Sequence, residues 1–151
     1  MDRRIFLKTA AAGVALPSLA GRAIAATPLR GLPLPIPEVI DLDGGASQTI
    51  EAMKGRMQFF DGIDTATIGY SAPYLGPILR MQRGRDAKIT LGNRLDFGVT
   101  AHWHGLHVPG AMDGGPQSLV APGALRDHNL VTQQPAATYW YHSHVHGQTG
   151  P

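Results

Sequence analysis

Four of the seven histidines in this 151-residue chain form two His-x-His pairs, His102-Trp103-His104 and His142-Ser143-His144. The residues around both pairs have the character of β-strands. In a strand, residues i and i+2 point to the same side, so each pair projects two imidazoles together. If the two strands are neighbours, four imidazoles converge on a metal site. Imidazole suits copper, zinc, iron and nickel. Zinc asks for about four ligands in a tetrahedron, often three histidines and a water. Two pairs on adjacent strands can instead divide their imidazoles between different metal ions.

Other residues near the pairs are candidates for supporting roles. His146 continues the alternation of His142 and His144, although Gly147 signals the end of the strand. Trp140 shares the face of His142 and is a candidate wall of the site. Trp103 faces away from its flanking histidines and is placed in the core. His107 falls on the opposite side from His104, and His128 sits in a separate strand beside Asp127; both are expected to be structural or solvent-facing. Asp113 lies in a glycine-rich loop after the first pair, where Asp-Gly is also an ordinary turn signal. The methionines are too scattered for a cuprous-ion patch. The chain has no cysteine, which excludes disulfides, thiolate zinc sites and a thiolate-ligated blue copper within it.

The elements that must position these residues are short strands. The chain has 19 Gly and 12 Pro, a composition that suits strands and turns rather than long helices. Strands are predicted over residues 48–53, 56–60, 65–70, 78–82, 87–93, 99–106, 126–131 and 138–144. Turn signals such as Asp43-Gly44-Gly45, Asp61-Gly62, Arg83-Gly84 and Pro122-Gly123 separate them. Regular short strands predict an all-β, antiparallel sandwich. Ahead of it, Pro28, Pro33, Pro35 and Pro37 predict an extended arm over residues 26–46. Residues 1–25 have the form of an export signal. Arg3-Arg4-Ile5-Phe6-Leu7-Lys8 is a twin-arginine core, a modestly apolar stretch follows, and Ala23-Ile24-Ala25 suits cleavage. The apolar stretch is too short for a permanent membrane span. Four of the 13 basic and one of the 11 acidic residues lie in this leader, leaving nine against ten in the remainder. Nothing in the mature part argues for nucleic acid.

His102-Trp103-His104-Gly105-Leu106, Pro109-Gly110, Asp113-Gly114-Gly115-Pro116-Gln117, Pro122-Gly123 and the run from Gln134 to His144 closely resemble the first domain of multicopper oxidases. The resemblance extends upstream to residues 75–80 and Arg83-Gly84, and its flavour is the bacterial periplasmic group of copper-efflux oxidases and laccase-like enzymes. It implies a cupredoxin-like (plastocyanin-like) Greek-key β-sandwich over residues 47–151. It also implies that His102 binds the type 2 copper and that His104, His142 and His144 bind the type 3 pair. In the family, this trinuclear cluster lies between the first and last cupredoxin domains and takes electrons from a blue copper. It reduces dioxygen to water while a reducing substrate is oxidised elsewhere. Asp113 would be an outer acid aiding proton delivery, and His146 a residue near the ligands rather than a ligand.

The same resemblance implies that the chain supplies half a cluster. The partners would be the C-terminal cupredoxin domains of a full-length enzyme, dioxygen and the twin-arginine export machinery, with a periplasmic location. No strand follows His144, so the sandwich is expected to be truncated before its last strand, and the isolated chain is not expected to turn over as an oxidase. The alternative is a non-catalytic periplasmic copper-binding or copper-buffering protein using the same four histidines. A copper nitrite reductase would need a cysteine in this domain, and a zinc hydrolase would need a further ligand and a water.

Overall fold

The fold is that of a computed structural model and is described for residues 36–42 and 45–148. The expected leader and residues 26–35 of the expected arm lie outside them, as do Asp43, Gly44 and residues 149–151. Eight strands follow one another in the described residues: β1 (Val39–Asp41), β2 (Ser47–Phe60), β3 (Ile63–Tyr70), β4 (Ile78–Arg80), β5 (Asp86–Asn93), β6 (His102–His104), β7 (Leu125–Val131) and β8 (Trp140–His142). A single turn of 3-10 helix at Pro116–Ser118 interrupts the strand pattern. Among the described residues no helix is long and apolar enough to cross a membrane.

Period-two alternation explains the larger sheet, whose order is β3-β2-β5-β7. Ala87, Ile89 and Leu91 of β5 face inward while Asp86 and Lys88 face solvent. His128 and Leu130 of β7 do the same beside them, and Ile50 and Ala52 of β2 complete the buried face. The second layer consists of two pairs, β1 with β4 and β6 with β8. It contributes Trp103 to the core, together with the flanking Val99, Ala101 and Leu106, and Ile40, Leu79 and Tyr141 pack against it. Each large apolar side chain fully buried in this way is worth about 1.5–3 kcal/mol.

The architecture is the expected sandwich, with four differences in detail. Residues 48–60 form part of one long strand rather than two, because β3 pairs with β2 on both sides of Gly55. Gly55 does not break the strand; it admits the backbone of Pro73, which a Cβ there would strike. The pairing is mixed rather than wholly antiparallel: β2 runs parallel to β5, and β1 parallel to β4. The chain leaves the large sheet after β3, passes through β4 in the other layer and returns as β5 on the free side of β2. A strand also forms within the expected arm. β1 pairs with β4 and Leu42 is only 2% exposed, so the packed unit begins before residue 47. Finally, the strands bearing the histidine pairs contract to three residues each, and ahead of β6 Val99 bridges instead to Val120.

Two buried polar residues brace the approach to β6. The Asn93 amide donates to the carbonyls of Phe97 and Val120, both at 2.8 Å, and its Oδ1 accepts the Leu95 N–H at 2.8 Å. That fixes the loop leading into the first histidine pair. His128 is fully buried, donates Nδ1–H to the Met112 carbonyl at 3.0 Å and meets the Trp103 ring edge-on. Its Nε2 has no hydrogen-bond partner.

Burial pushes the His128 imidazole below its ordinary value of 6.5. The unfolded chain therefore takes up this proton first, and stability that is fully present above about pH 6.5 declines as pH falls. The melting temperature should drop on going from pH 7.5 to 5.5, and His128→Asn should flatten part of that slope, as read by circular dichroism melts across the range.

Candidate metal centre

β6 and β8 pair antiparallel in the register His102↔His142, Trp103↔Tyr141, His104↔Trp140. Alternation then separates the two faces. Trp103 and Tyr141 turn into the core with ring centroids 5.4 Å apart. His102, His104, Trp140 and His142 turn outward together, and His144 lies just past the end of β8.

The imidazoles converge. The His102 centroid lies 5.4 Å from His104, 5.4 Å from His142 and 5.2 Å from His144. One ring nitrogen from each of His102, His104 and His142 falls within 4.8 Å of the others. His104 Nδ1 and His142 Nε2 are 3.2 Å apart. Two nitrogens bound to one ion at about 2.0 Å each stand about 3.3 Å apart in a tetrahedral arrangement, so this pair already has the spacing of two ligands on a shared ion. His144 stands with its centroid 5.7 Å from His142.

Hydrogen bonds behind the rings fix their tautomers. His102 donates Nδ1–H to the Asp113 carbonyl at 3.0 Å, and the Asp113 carboxylate lies 3.4 Å from the same nitrogen. His142 donates Nδ1–H to the Ser143 carbonyl at 2.7 Å. In both residues Nε2 is thereby left as the lone-pair nitrogen, the usual way in which an outer partner presents a metal-binding imidazole. Burial holds the His142 imidazole below its ordinary value, the Ser143 carbonyl opposes this, and His102, His104 and His144 push it further down. A neutral imidazole is the form that binds metal. The donor set fits copper, for which imidazole is a normal ligand.

The remaining predicted residues fall as follows. Trp140 is 57% exposed and stacks on both His142 and His104, with centroids at 4.1 and 4.6 Å. Asp113 is half-buried beside His102, and its carbonyl also accepts the Trp103 N–H at 3.1 Å. His146 is exposed in the turn after β8, and His107 is exposed beyond β6. Sequence reasoning missed two contacts. Thr100 Oγ1 accepts the His144 N–H at 2.7 Å; its position two residues before His102 was the available signal. The Gln134 side chain accepts the His107 N–H at 2.6 Å and donates to the Gly105 carbonyl at 3.0 Å, a tie that no spacing in the sequence announces.

A β-sandwich with imidazoles converging from two paired strands defines a cupredoxin-type domain with a candidate metal centre. The chain belongs to the multicopper oxidase family: the family model described as "Multicopper oxidase" matches residues 51–150. Among curated relatives, multicopper oxidase mco of Staphylococcus aureus is 42% identical over 104 residues, covering 69% of this chain and 23% of that protein. Cell division protein FtsP of Escherichia coli is 32% identical over 149 residues, 99% of this chain and 31% of that protein. Among solved structures, the bacterial laccase-like multicopper oxidase CueO of Ochrobactrum sp. superposes with a TM-score of 0.73 at 38% identity, over 78% of this chain and 26% of that one. The laccase of Pediococcus acidilactici gives 0.70 at 34%, over 76% and 26%. The fold is accordingly the cupredoxin-like Greek-key sandwich of that family. The chain spans between 23% and 31% of the length of these relatives.

The loop that holds His102 depends on Gly114. Its φ is +71°, and a Cβ there would collide with the Ala101 carbonyl next to His102. Gly114→Ala should cost more than about 1 kcal/mol in urea unfolding, and should disturb the His102 ring resonances more than those of His128.

Proposed function

We propose that this chain is the N-terminal cupredoxin domain of an exported multicopper oxidase and supplies four histidines of a trinuclear copper cluster. His102 holds the type 2 copper; His104, His142 and His144 hold the type 3 pair. The observation that carries this reading is the β6–β8 register, which sets His102 directly opposite His142 and brings His104 Nδ1 within 3.2 Å of His142 Nε2. Bound copper supplies the electron transfers by which dioxygen is reduced to water. The chain's own residues bind and orient. The Asp113 carbonyl keeps the His102 proton on Nδ1, and the Ser143 carbonyl does the same for His142. The Asp113 carboxylate, 3.4 Å from His102 Nδ1, takes the role of an outer acid that aids proton delivery. Trp140 walls the two imidazoles on which it stacks, and His146 stands outside the ligand set.

Residues 1–25 act as a twin-arginine signal to the periplasm, the proline-rich segment 26–46 contributes β1 to the sandwich, and residues 47–151 carry the metal-binding histidines. The further cupredoxin domains of a longer enzyme, with their own four cluster ligands and the blue copper, are the partners, and dioxygen is the acceptor. A second reading is a periplasmic copper-binding protein without turnover. The similarity to FtsP across 99% of the chain favours it, because that relative's name is not that of an oxidase.

Titration of the purified polypeptide with cupric ion, followed by electron paramagnetic resonance, tests the ligand set. Replacing His102, His104, His142 or His144 singly with Ala should weaken copper binding by at least about 10-fold, whereas His107→Ala should leave it unchanged. Binding indifferent to all four substitutions sinks the proposal. Tight copper binding with no dioxygen consumption, in a polypeptide shown to carry all its domains, selects the second reading.

A further inference from the structure

His144 is held differently from the other three imidazoles. His102, His104 and His142 all lie within the paired residues of β6 and β8. His144 lies two residues past the last pair, where no strand ladder fixes the main chain. Its N–H instead donates to Thr100 Oγ1 at 2.7 Å. Thr100 is fully buried, so this hydroxyl has little freedom to wander.

Thr100 is itself anchored from the opposite layer. Its carbonyl accepts the Tyr70 hydroxyl at 2.6 Å, and the Tyr70 ring packs on Tyr141 with centroids 5.4 Å apart. Tyr70 belongs to β3 in the four-stranded sheet. Burial, with Tyr141 beside it, pushes the Tyr70 phenol well above its ordinary value, so it stays protonated and remains a donor to that carbonyl. The link therefore runs from β3 through Tyr70 to Thr100, and from Thr100 to the main chain of His144. Because Thr100 precedes His102 by two residues, the same short segment carries both the anchor for His144 and the ring that His144 faces at 5.2 Å.

We infer that Thr100 is the positioning residue for His144: its hydroxyl, by accepting the His144 N–H, sets where the fourth imidazole stands relative to His102 and His142. The inference rests on His144 being a ligand. Valine has the shape of threonine without the acceptor, and serine has the acceptor without the methyl. The pair thus separates packing from hydrogen bonding, since a backbone N–H that loses its acceptor is costly to leave unpaired.

The test compares cupric-ion titrations and electron paramagnetic resonance spectra of wild type, Thr100→Val, Thr100→Ser and His144→Ala. Thr100→Val should weaken copper binding by about 10- to 100-fold and shift the spectrum in the direction of His144→Ala. Thr100→Ser should keep the wild-type spectrum and affinity. Wild-type binding and spectrum in Thr100→Val, with His144→Ala clearly impaired, overturns the inference while leaving His144 a ligand. No effect of His144→Ala overturns the ligand assignment, and the inference with it. Should Thr100→Val fail to fold, amide hydrogen exchange on the wild-type protein decides: the His144 amide should be strongly protected, and exchange at the rate of an unstructured peptide overturns the inference.

Discussion

The pairing of β6 with β8 is only three residues long, yet the whole imidazole-bearing face depends on its register. Side chains alternate with a period of two, so a slip of one residue would carry the imidazoles into the core and swing Trp103 and Tyr141 into solvent. The indole and the phenol are what forbid that slip. Trp103 is only 2% exposed and meets Tyr141 on one side and His128 on the other. The apolar face of this short ribbon thus fixes the position of its polar face, and the hydrophobic core acts on the candidate metal centre through the backbone that both faces share.

A three-residue pair is too little to hold four rings, and the structure supplements it with hydrogen bonds from outside. The Asp113 carbonyl ties the 109–115 loop to both Trp103 and His102. Gln134 joins the turn after His104 to the segment leading toward His142. Asn93 braces the entry to β6 from the end of β5. These ties engage main-chain groups at and around the short ladder, so bonds that help satisfy the backbone also aim the imidazoles.

The convergence of the imidazoles was legible in the sequence because its signal is local. His-x-His alternation, and the inward turn of the intervening Trp103, follow from strand geometry alone. The positions of β3, β4, β5 and β7 were legible for the same reason. What escaped depends on distant partners. Gly55 looks like an interruption until the backbone of Pro73 is seen lying against it. The parallel neighbours of β2 and β1 are set by the path of the chain between layers, which alternation does not encode. β1 itself hides in a proline-rich stretch because only three of its residues pair. Asp113 was visible as an acid near the site, but its backbone carbonyl, which makes the closer contact with His102, has no sequence signature.

Trp140 gives the centre an optical property. The chain has two tryptophans; one is enclosed in the core, and the other lies flat against two of the clustered imidazoles at van der Waals range. A paramagnetic ion seated on those rings would sit close enough to extinguish the emission of Trp140 and leave the shorter-wavelength emission of the enclosed Trp103 less affected. An ion loading there would thus be reported by Trp140 at the edge of the site, with the enclosed Trp103 as the comparison.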